Sequence, residues 1–253
     1  MRAPRPIKRI YQRLRYGAGG KATKFARRLR ARRDRFVDPD RWLHGELAQR
    51  RYPNYDAYLA HQSSKLDRIC ERRTEKDARV AIPEFLRRFR GCTALADSRA
   101  VLCLGARLGA EVRALVALGY FAVGVDVNPG PDNPYVLHGD FHHLVFADGT
   151  VDAVYTNAID HVWDLEGFVR EVRRVLRPGG VFVADVLPGF EEGFTPGEFE
   201  ATHWRSINYL VARICADGGL AEESRVDLGS TGRDRWTQVV LRARALSGAR
   251  ANA

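Results

Sequence analysis

Short apolar runs alternate with amphipathic segments through the middle of the chain. Residues 100–104 and 121–125 are apolar and uncharged, the pattern of strands that are buried on both faces. Between them, residues 111–118 place most of their apolar side chains on one helical face, and Gly119 predicts the end of that helix. Strand, helix and strand in this order predict a βαβ unit, which binds nucleotide-like ligands beyond its strand ends.

The alternation continues toward the end of the chain. Further strands are predicted at residues 135–137, 151–156, 181–186, 221–227 and 236–244. Amphipathic helices are predicted at residues 165–176 and 203–217, and the first of them stops at a Pro-Gly-Gly terminator. The connection between the last two strands is too short for a crossover helix, so these strands are expected to be antiparallel.

Two more helices are predicted before the first strand of this unit. Asn54 has the character of a helix cap, and the segment after it places an apolar face at helical spacing. A second helix is predicted over residues 82–90, with Pro83 in its first turn. Residues 51–95 thus form a helical preface, which either covers a ligand crevice as a lid or packs on the outside of the sheet.

The positive charge is concentrated at the N-terminus. Residues 1–50 hold 16 Lys and Arg against 4 Asp and Glu, whereas the whole chain has a net charge of +10. This basic segment is predicted to be a flexible arm, with a helix over residues 24–36. An arm for phosphate-rich partners, nucleic acid or anionic lipid, is one interpretation. A solvated tail and an organelle transit peptide are the others.

Composition excludes several classes of protein. No run of 18 apolar residues is present, which argues against a spanning helix, and no apolar segment follows the basic N-terminus as in a secretory signal. The four cysteines show no paired spacing, so neither a disulfide framework nor a zinc site is predicted. A reduced, cytoplasmic protein without a metal site is expected.

Candidate chemistry lies at the ends of the predicted strands. Gly105 and Gly109 bracket a tight turn, and Asp126 follows Gly105 by 21 residues, about the spacing of a carboxylate that binds ribose hydroxyls. Asp140 and Asn157 follow the next two strands. Because carboxyl ends of parallel strands share one edge of a sheet, these residues define a candidate site.

Four segments in order resemble the class I S-adenosylmethionine-dependent methyltransferases, and in particular the type 11 methyltransferase domains: GARLG, GVDVNPG, GDFHHLVFADGTVDAVYTNAIDHV and EVRRVLRPGGVFVADV. The resemblance covers residues 96–186 and extends toward residue 246. It implies an α/β fold with a doubly wound, mostly parallel seven-stranded sheet and an antiparallel last strand, preceded by helices. The methyltransferase-like domain is then residues 96–247, with a frayed tail at 248–253.

The resemblance also implies how S-adenosyl-L-methionine is bound. Asp126 would accept hydrogen bonds from both ribose hydroxyls, and Asp140 from the adenine amino group. Phe141 would pack on the adenine ring, and Asn157 would lie near the transferred methyl group. The implied cofactor-binding residues are Gly105, Arg107, Gly109, Asp126, Val127, Asn128, Asp140, Phe141 and Asn157.

Two positions depart from the family pattern. Cys103 stands where the family usually carries an acid, and Arg107 replaces the middle glycine of a G-x-G-x-G turn. Arg107 either binds the cofactor carboxylate with its guanidinium, or points outward and weakens cofactor binding.

Asp160 and His161 follow the fourth predicted strand and are the candidate general bases, if the acceptor has a proton to lose. For His161 a structural role, packed against the following helix, is favoured over that of a base, and His142, His143 and His203 are nearby in sequence order. Three functions remain open. The first is a methyltransferase for a small molecule or glycan, the second an RNA- or polyanion-directed methyltransferase that uses the basic arm, and the third a non-catalytic binding protein on this fold.

Overall fold

The computed structural model describes residues 26–231 and 234–244, without the side chains of residues 67–79 and 231. The predictions for residues 1–25 and for the tail at 248–253 fall outside the described residues, as does the side chain of Cys70. Within the described part of the chain, no helix is long and apolar enough to cross a membrane. The same part contains no group of His, Cys, Asp or Glu side chains that could hold a metal ion.

The described helices and strands follow in chain order. The helices are α1 (residues 26–36), α2 (Tyr55–Gly91), α3 (Ala110–Ala117), α4 (Leu165–Val175) and α5 (Ile207–Gly218). The strands are β1 (Trp42–Leu43), β2 (Leu47–Arg50), β3 (Ala100–Leu104), β4 (Phe121–Asp126), β5 (Val136–His138), β6 (Val151–Thr156), β7 (Leu176–Val186), β8 (Thr202–Trp204), β9 (Leu220–Thr231) and β10 (Asp234–Ala243). Single 3₁₀ turns lie at Thr93–Leu95 and Ile159–His161.

The main sheet has seven strands in the order β5-β4-β3-β6-β7-β10-β9. Strands β5, β4, β3, β6 and β7 pair in parallel, and β10 runs antiparallel to both β7 and β9. The strand order reverses beside β3, where β4 lies on one side and β6 on the other. The predicted doubly wound sheet with an antiparallel last strand is confirmed.

Helices cover both faces of this sheet. Successive side chains of β3 point to opposite faces, so Leu102 and Leu104 join a core cluster with α4 and α5. Val101 and Cys103 join a second cluster with α2 and α3. Burial on both faces explains why the parallel strands are apolar throughout and do not alternate with polar residues.

The two helices predicted before the sheet are a single helix, α2, which corrects the sequence interpretation. Asn54 caps it as expected, because its side chain accepts a hydrogen bond from the Ala57 N–H at 2.9 Å. Pro83 lies inside the helix and removes one backbone donor there. Just beyond it, Phe85 and Phe89 are buried, and the ring of Phe89 packs edge-on against Tyr155 at 4.8 Å. Core packing therefore extends the helix past the proline.

Residues 26–50 pack on the body of the protein, so the prediction of a flexible arm is wrong for this part of residues 1–50. The predicted helix is confirmed at residues 26–36. After it, β1, β2 and β8 form a three-stranded antiparallel sheet, and Trp42 is buried beneath it. The charges of the segment suggested a solvated chain, but a few aromatic side chains outweigh them.

The predicted helix over residues 203–217 begins later than expected. His203 lies in β8, where it pairs with Ala48 of β2. The helix α5 begins after Ser206, whose hydroxyl accepts a hydrogen bond from the Tyr209 N–H at 3.2 Å. A pairing across more than 150 residues, which local periodicity does not contain, places His203 in a strand.

Candidate active site

A cavity of about 300 Å³ lies at the carboxyl ends of β3, β4 and β6, a size at the lower end for small-molecule sites. Its wall comes from the loops after these strands, from α2 and from the segment before β8. Nine of the eleven predicted site residues line it: Gly105, Arg107, Asp126, Val127, Asn128, Phe141, Asn157, Asp160 and His161. The structure thus brings together residues that are spread over 57 positions of the sequence.

Asp126 ends β4 with its carboxylate at the cavity wall. One oxygen, Oδ2, accepts a hydrogen bond from the Arg107 N–H at 2.8 Å, and Oδ1 accepts one from the Asn128 N–H at 2.8 Å. Burial raises the pKa of this carboxyl, and the two backbone donors oppose that rise. Each oxygen keeps a further lone pair, so the carboxylate fits a vicinal diol as a pair of acceptors.

The turn after β3 brings the backbone close to the next loop. Gly105 has a φ of +72°, and a Cβ there would lie 2.6 Å from the Cβ of Ala158. Only glycine fits this approach. Arg107 has a φ of +45°, in the left-handed region that side chains other than glycine seldom adopt. The turn therefore holds a strained arginine at the wall of the cavity.

The charge of Arg107 reaches across the cavity. The positive charge of Arg107 lowers the pKa of Lys65, of Asp160 and of His161. In each of the three residues, burial has a larger effect on the pKa than Arg107 has. Arg107 consequently forms part of the electrostatic environment of the residues on the far side of the site.

Asp140 lies beside the cavity in a network with α2. The Tyr55 hydroxyl donates to Oδ2, while Oδ1 accepts from the His142 N–H at 2.8 Å and from His142 Nδ1 at 3.0 Å. His142 Nε2 accepts the Trp163 N–H at 3.2 Å, which leaves the ring proton on Nδ1. Burial alone would raise the pKa of Asp140, but the hydrogen bonds from His142 and Tyr55 lower it to about 2.

Gly109, the other predicted residue outside the cavity wall, supports the turn from behind. Its φ is +77°, and a Cβ there would lie 2.9 Å from Val136 Cγ2 of β5. Because Gly109 has no side chain, the turn can pack closely on β5. Gly105 and Arg107 are the residues of this turn that line the cavity.

The sequence interpretation missed the residues that α2 contributes to the cavity, among them Tyr58, Gln62 and Lys65. Tyr58 donates its hydroxyl to the His161 carbonyl at 3.0 Å, and Gln62 Nε2 donates to the Phe199 carbonyl at 2.8 Å. The sequence predicted an apolar helical face in the segment after Asn54. It contained no signal that this face meets the strand ends. Other wall residues that were missed are Leu66, Leu187, Glu200, Asp234 and Trp236.

Lys65 and His161 are in direct contact inside the cavity. Lys65 Nζ lies 2.6 Å from His161 Nε2, and His161 Nδ1 lies 2.9 Å from the Phe199 carbonyl oxygen. Because a carbonyl only accepts, Nδ1 carries the ring proton and Nε2 presents its lone pair to Lys65. Burial lowers the pKa of both side chains.

Asp160 lies next to this pair. One of its carboxylate oxygens is 3.8 Å from His161 Nε2. Burial raises the pKa of Asp160, the nearby Glu200 carboxylate adds to the rise, and Lys65 opposes it. The polar half of the cavity thus holds an amine, an imidazole and two carboxyl groups.

The other histidines weighed from the sequence lie elsewhere. His142 belongs to the Asp140 network, and its ring is 5.8 Å from that of Tyr55. His143 stacks on Tyr55. His203 is buried between the rings of Phe194 and Trp204, at 5.1 and 5.0 Å, and burial lowers its pKa to about 3. None of the three lines the cavity described above.

Known proteins resemble the chain over its central part. Residues 102–184 match a family model described as a methyltransferase domain. A Mycolicibacterium smegmatis protein named "Probable S-adenosylmethionine-dependent methyltransferase" is 38% identical over 77 residues, 29% of either chain. A sterol 24-C-methyltransferase of Aspergillus fumigatus is 53% identical over 47 residues, 18% of this chain and 12% of its own. The chain thus spans less than a third of these relatives.

The 1,6-didemethyltoxoflavin-N1-methyltransferase of Burkholderia thailandensis shares the fold more widely. Its TM-score is 0.60 at 14% identity, over 80% of this chain and 97% of that one. The fold is therefore that of the class I methyltransferases. Together with the matching domain at residues 102–184, it confirms the predicted resemblance to class I S-adenosylmethionine-dependent methyltransferases, whose cofactor is S-adenosyl-L-methionine.

Proposed function

We propose that the protein is an S-adenosylmethionine-dependent methyltransferase whose acceptor is a polar small molecule or a glycan. The observation that carries this proposal is Asp126. It ends the strand beside the reversal point of the sheet, with both carboxylate oxygens held by backbone N–H groups and spare lone pairs at a cavity. This geometry suits a carboxylate that accepts from both hydroxyls of a ribose.

The neighbouring residues suit the rest of the cofactor. Val127 and Asn128 would flank the adenine, and Phe141 offers an aromatic surface to it. Asp140 keeps one lone pair on Oδ2 for the adenine amino group. Arg107 also lines the cavity and would bind the carboxylate of the methionine part. Bound at this site, S-adenosylmethionine would supply an electrophilic methyl group and a leaving group.

The polar half of the cavity suits an acceptor with hydroxyl or amine groups. Lys65, Asp160, His161 and Glu200 line it, beside the aromatic ring of Trp236. Several polar and charged groups on one wall favour a polar ligand, because an apolar one would remove their remaining contacts with water without replacing them. The similar Burkholderia enzyme is described with the small molecule 1,6-didemethyltoxoflavin bound, which supports an acceptor of modest size.

Cofactor binding can be tested before any acceptor is known. We expect S-adenosylhomocysteine at 100 times its dissociation constant to stabilise the protein by about 2.7 kcal/mol, because only the folded state contains the cavity. Differential scanning fluorimetry against a concentration series measures this, with NAD as the control ligand. Absence of a shift at millimolar ligand would exclude the proposal and favour a non-catalytic protein on this fold.

A polyanion-directed methyltransferase is the second candidate, and α1 favours it. Residues 26–36 contain six arginines and one acid, and most of them are exposed. Arg32 Nη2 lies 3.7 Å from Glu200 Oε1, and Glu200 lines the polar half of the cavity. Arg27 and Arg28 of the same helix have no ion-pair partner among the described residues. A basic helix thus borders the place where the acceptor would enter.

This second candidate predicts binding of single-stranded RNA that weakens steeply with salt. Replacing both Arg27 and Arg28 by glutamine should reduce the slope of log affinity against log salt by about 1.4, since each phosphate contact adds about 0.7. Fluorescence anisotropy with a labelled oligonucleotide measures the slope. The matched control is Arg90→Gln with Arg99→Gln, two exposed arginines outside α1. Equal slopes in the two double variants would exclude α1 as the binding surface.

A further inference from the structure

We infer that Lys65 is the catalytic base that takes the proton of the methyl acceptor, and that His161 is a positioning residue for it. This inference rests on the proposed function and replaces Asp160 and His161 in the role of base. It also defines the acceptor, whose reacting atom must carry a proton.

His161 has no nitrogen available for an acceptor. Its Nδ1 proton is donated to the Phe199 carbonyl at 2.9 Å, and its Nε2 lone pair faces Lys65 Nζ at 2.6 Å. A general base needs an unoccupied lone pair within hydrogen-bond reach of the proton that it removes. The lone pair of the imidazole is directed at Lys65, so His161 cannot accept a proton from the methyl acceptor directly.

Lys65 meets the condition in its neutral form. A neutral amine has two N–H donors and one lone pair; one N–H can bind His161 Nε2, and the lone pair remains for the cavity that Lys65 lines. The position of Lys65 is fixed by the two preceding turns of α2, because Tyr58 donates to the His161 carbonyl and Gln62 to the Phe199 carbonyl. Helix and imidazole therefore hold the amine in one place.

The surrounding charges support both forms of this amine. Lys65 is surrounded by titratable and charged groups from the loop after β3, the end of β4, the 3₁₀ turn after β6 and the segment before β8. These groups are Arg107, Asp126, Asp160, His161 and Glu200. Burial, followed by Arg107, lowers the pKa of Lys65 and makes the neutral form accessible. The carboxylates of Asp160, Glu200 and Asp126 act in the opposite direction, and they stabilise the ammonium once it forms.

The proton transfer balances the methylation. As the lone pair of the acceptor atom bonds to the methyl carbon, the carbon–sulfur bond breaks and its electron pair stays on sulfur. The proton of the acceptor moves to Lys65 Nζ, which becomes an ammonium ion. The expected acceptor is an alcohol, a phenol or an amine, since a carboxylate is already ionised at neutral pH and has no proton to give.

The titration of Lys65 can be measured without an acceptor. The chain has five lysines (Lys8, Lys21, Lys24, Lys65 and Lys76), so NMR spectra of ¹³C-lysine protein are simple. The resonance that disappears in Lys65→Arg identifies the residue. We expect it to titrate at least about one pH unit below the ordinary lysine value of about 10.4, with the other four lysine resonances recorded in the same spectra for comparison. Titration together with the others would overturn the inference.

Turnover on an acceptor from a screen with labelled methyl donor separates the two roles. Lys65→Met should lower turnover by about 10²–10⁴-fold and abolish the rise of kcat/KM with pH, while S-adenosylhomocysteine still stabilises the variant. His161→Gln, which keeps an acceptor for the amine, should retain more activity than His161→Leu. A Lys65→Met enzyme with unchanged turnover and pH profile would contradict the inference. If the wild-type protein does not bind S-adenosylhomocysteine, this result would instead contradict the proposed function.

Discussion

Replacing Arg88 by methionine is expected to lower the free energy of unfolding by about 3–5 kcal/mol. Arg88 Nη1 binds Asp185 Oδ2 at 2.9 Å, and the two side chains are 4% and 0% exposed. The carboxylate also accepts from Tyr155 at 2.7 Å and from Gln238 at 3.0 Å. Without the guanidinium, an ionised carboxylate remains in the core between β7 and α2, where burial raises its pKa. Urea unfolding followed by circular dichroism measures the loss.

The neighbouring Arg87 is a matched control on the same helix. It binds Glu84 at 2.7 Å, but its side chain is 55% exposed, so Arg87→Met should cost no more than about 1 kcal/mol. The double variant Arg88→Met with Asp185→Asn should recover part of the lost stability, because no buried charge is then left alone and the amide oxygen can still accept from Tyr155. Equal costs for Arg87→Met and Arg88→Met would show that the pair does not stabilise the fold as described.

Replacing Asp126 by alanine is expected to weaken binding of S-adenosylhomocysteine by about 100-fold or more. The variant removes two hydrogen bonds to a charged acceptor, each worth about 1.5–3 kcal/mol. Isothermal titration calorimetry measures the dissociation constant. Affinity in the wild type should also fall as the pH drops toward the raised pKa of this carboxyl, because the protonated form loses acceptor capacity.

Two further variants separate this effect from a damaged turn. Asp126→Asn keeps one oxygen acceptor and should bind more tightly than Asp126→Ala. Asp148→Ala removes a carboxylate that is 81% exposed and lies outside the cavity wall, so it should bind like the wild type. Because Asp126 also accepts two backbone N–H groups, circular dichroism must confirm that the alanine variant is folded. Unchanged affinity in a folded Asp126→Ala protein would remove Asp126 from the role of ribose ligand.

Local sequence patterns were sufficient to predict the parallel strands at the centre of the sheet. Strands such as β3 and β6 have the predicted bounds, residues 100–104 and 151–156, because strands buried on both faces leave uninterrupted apolar runs. The turn between Gly105 and Gly109 and the acid at Asp126 are likewise local signals, since the backbone there needs positive φ and the acid ends a strand.

The helical preface was predicted only in part. Its apolar face was predicted from the helical spacing of the segment after Asn54, but Pro83 was assigned to the first turn of a second helix. A local rule treats an interior proline as a break. The aromatic packing of Phe85 and Phe89, which outweighs that rule, involves strands that follow much later in the chain.

The sequence by itself determined the class of fold, the crevice at the strand ends and the position of the Asp126 carboxylate at that crevice. All of these depend on periodicity and on residues within one βαβ unit. Only the tertiary structure decided that α2 contributes residues to the wall of the crevice and that Lys65 meets His161, 96 residues further along the chain. It also decided that residues 26–50 pack on the body through β8. Such contacts arise from the burial of whole faces against one another, and a one-dimensional pattern contains no information on which faces meet.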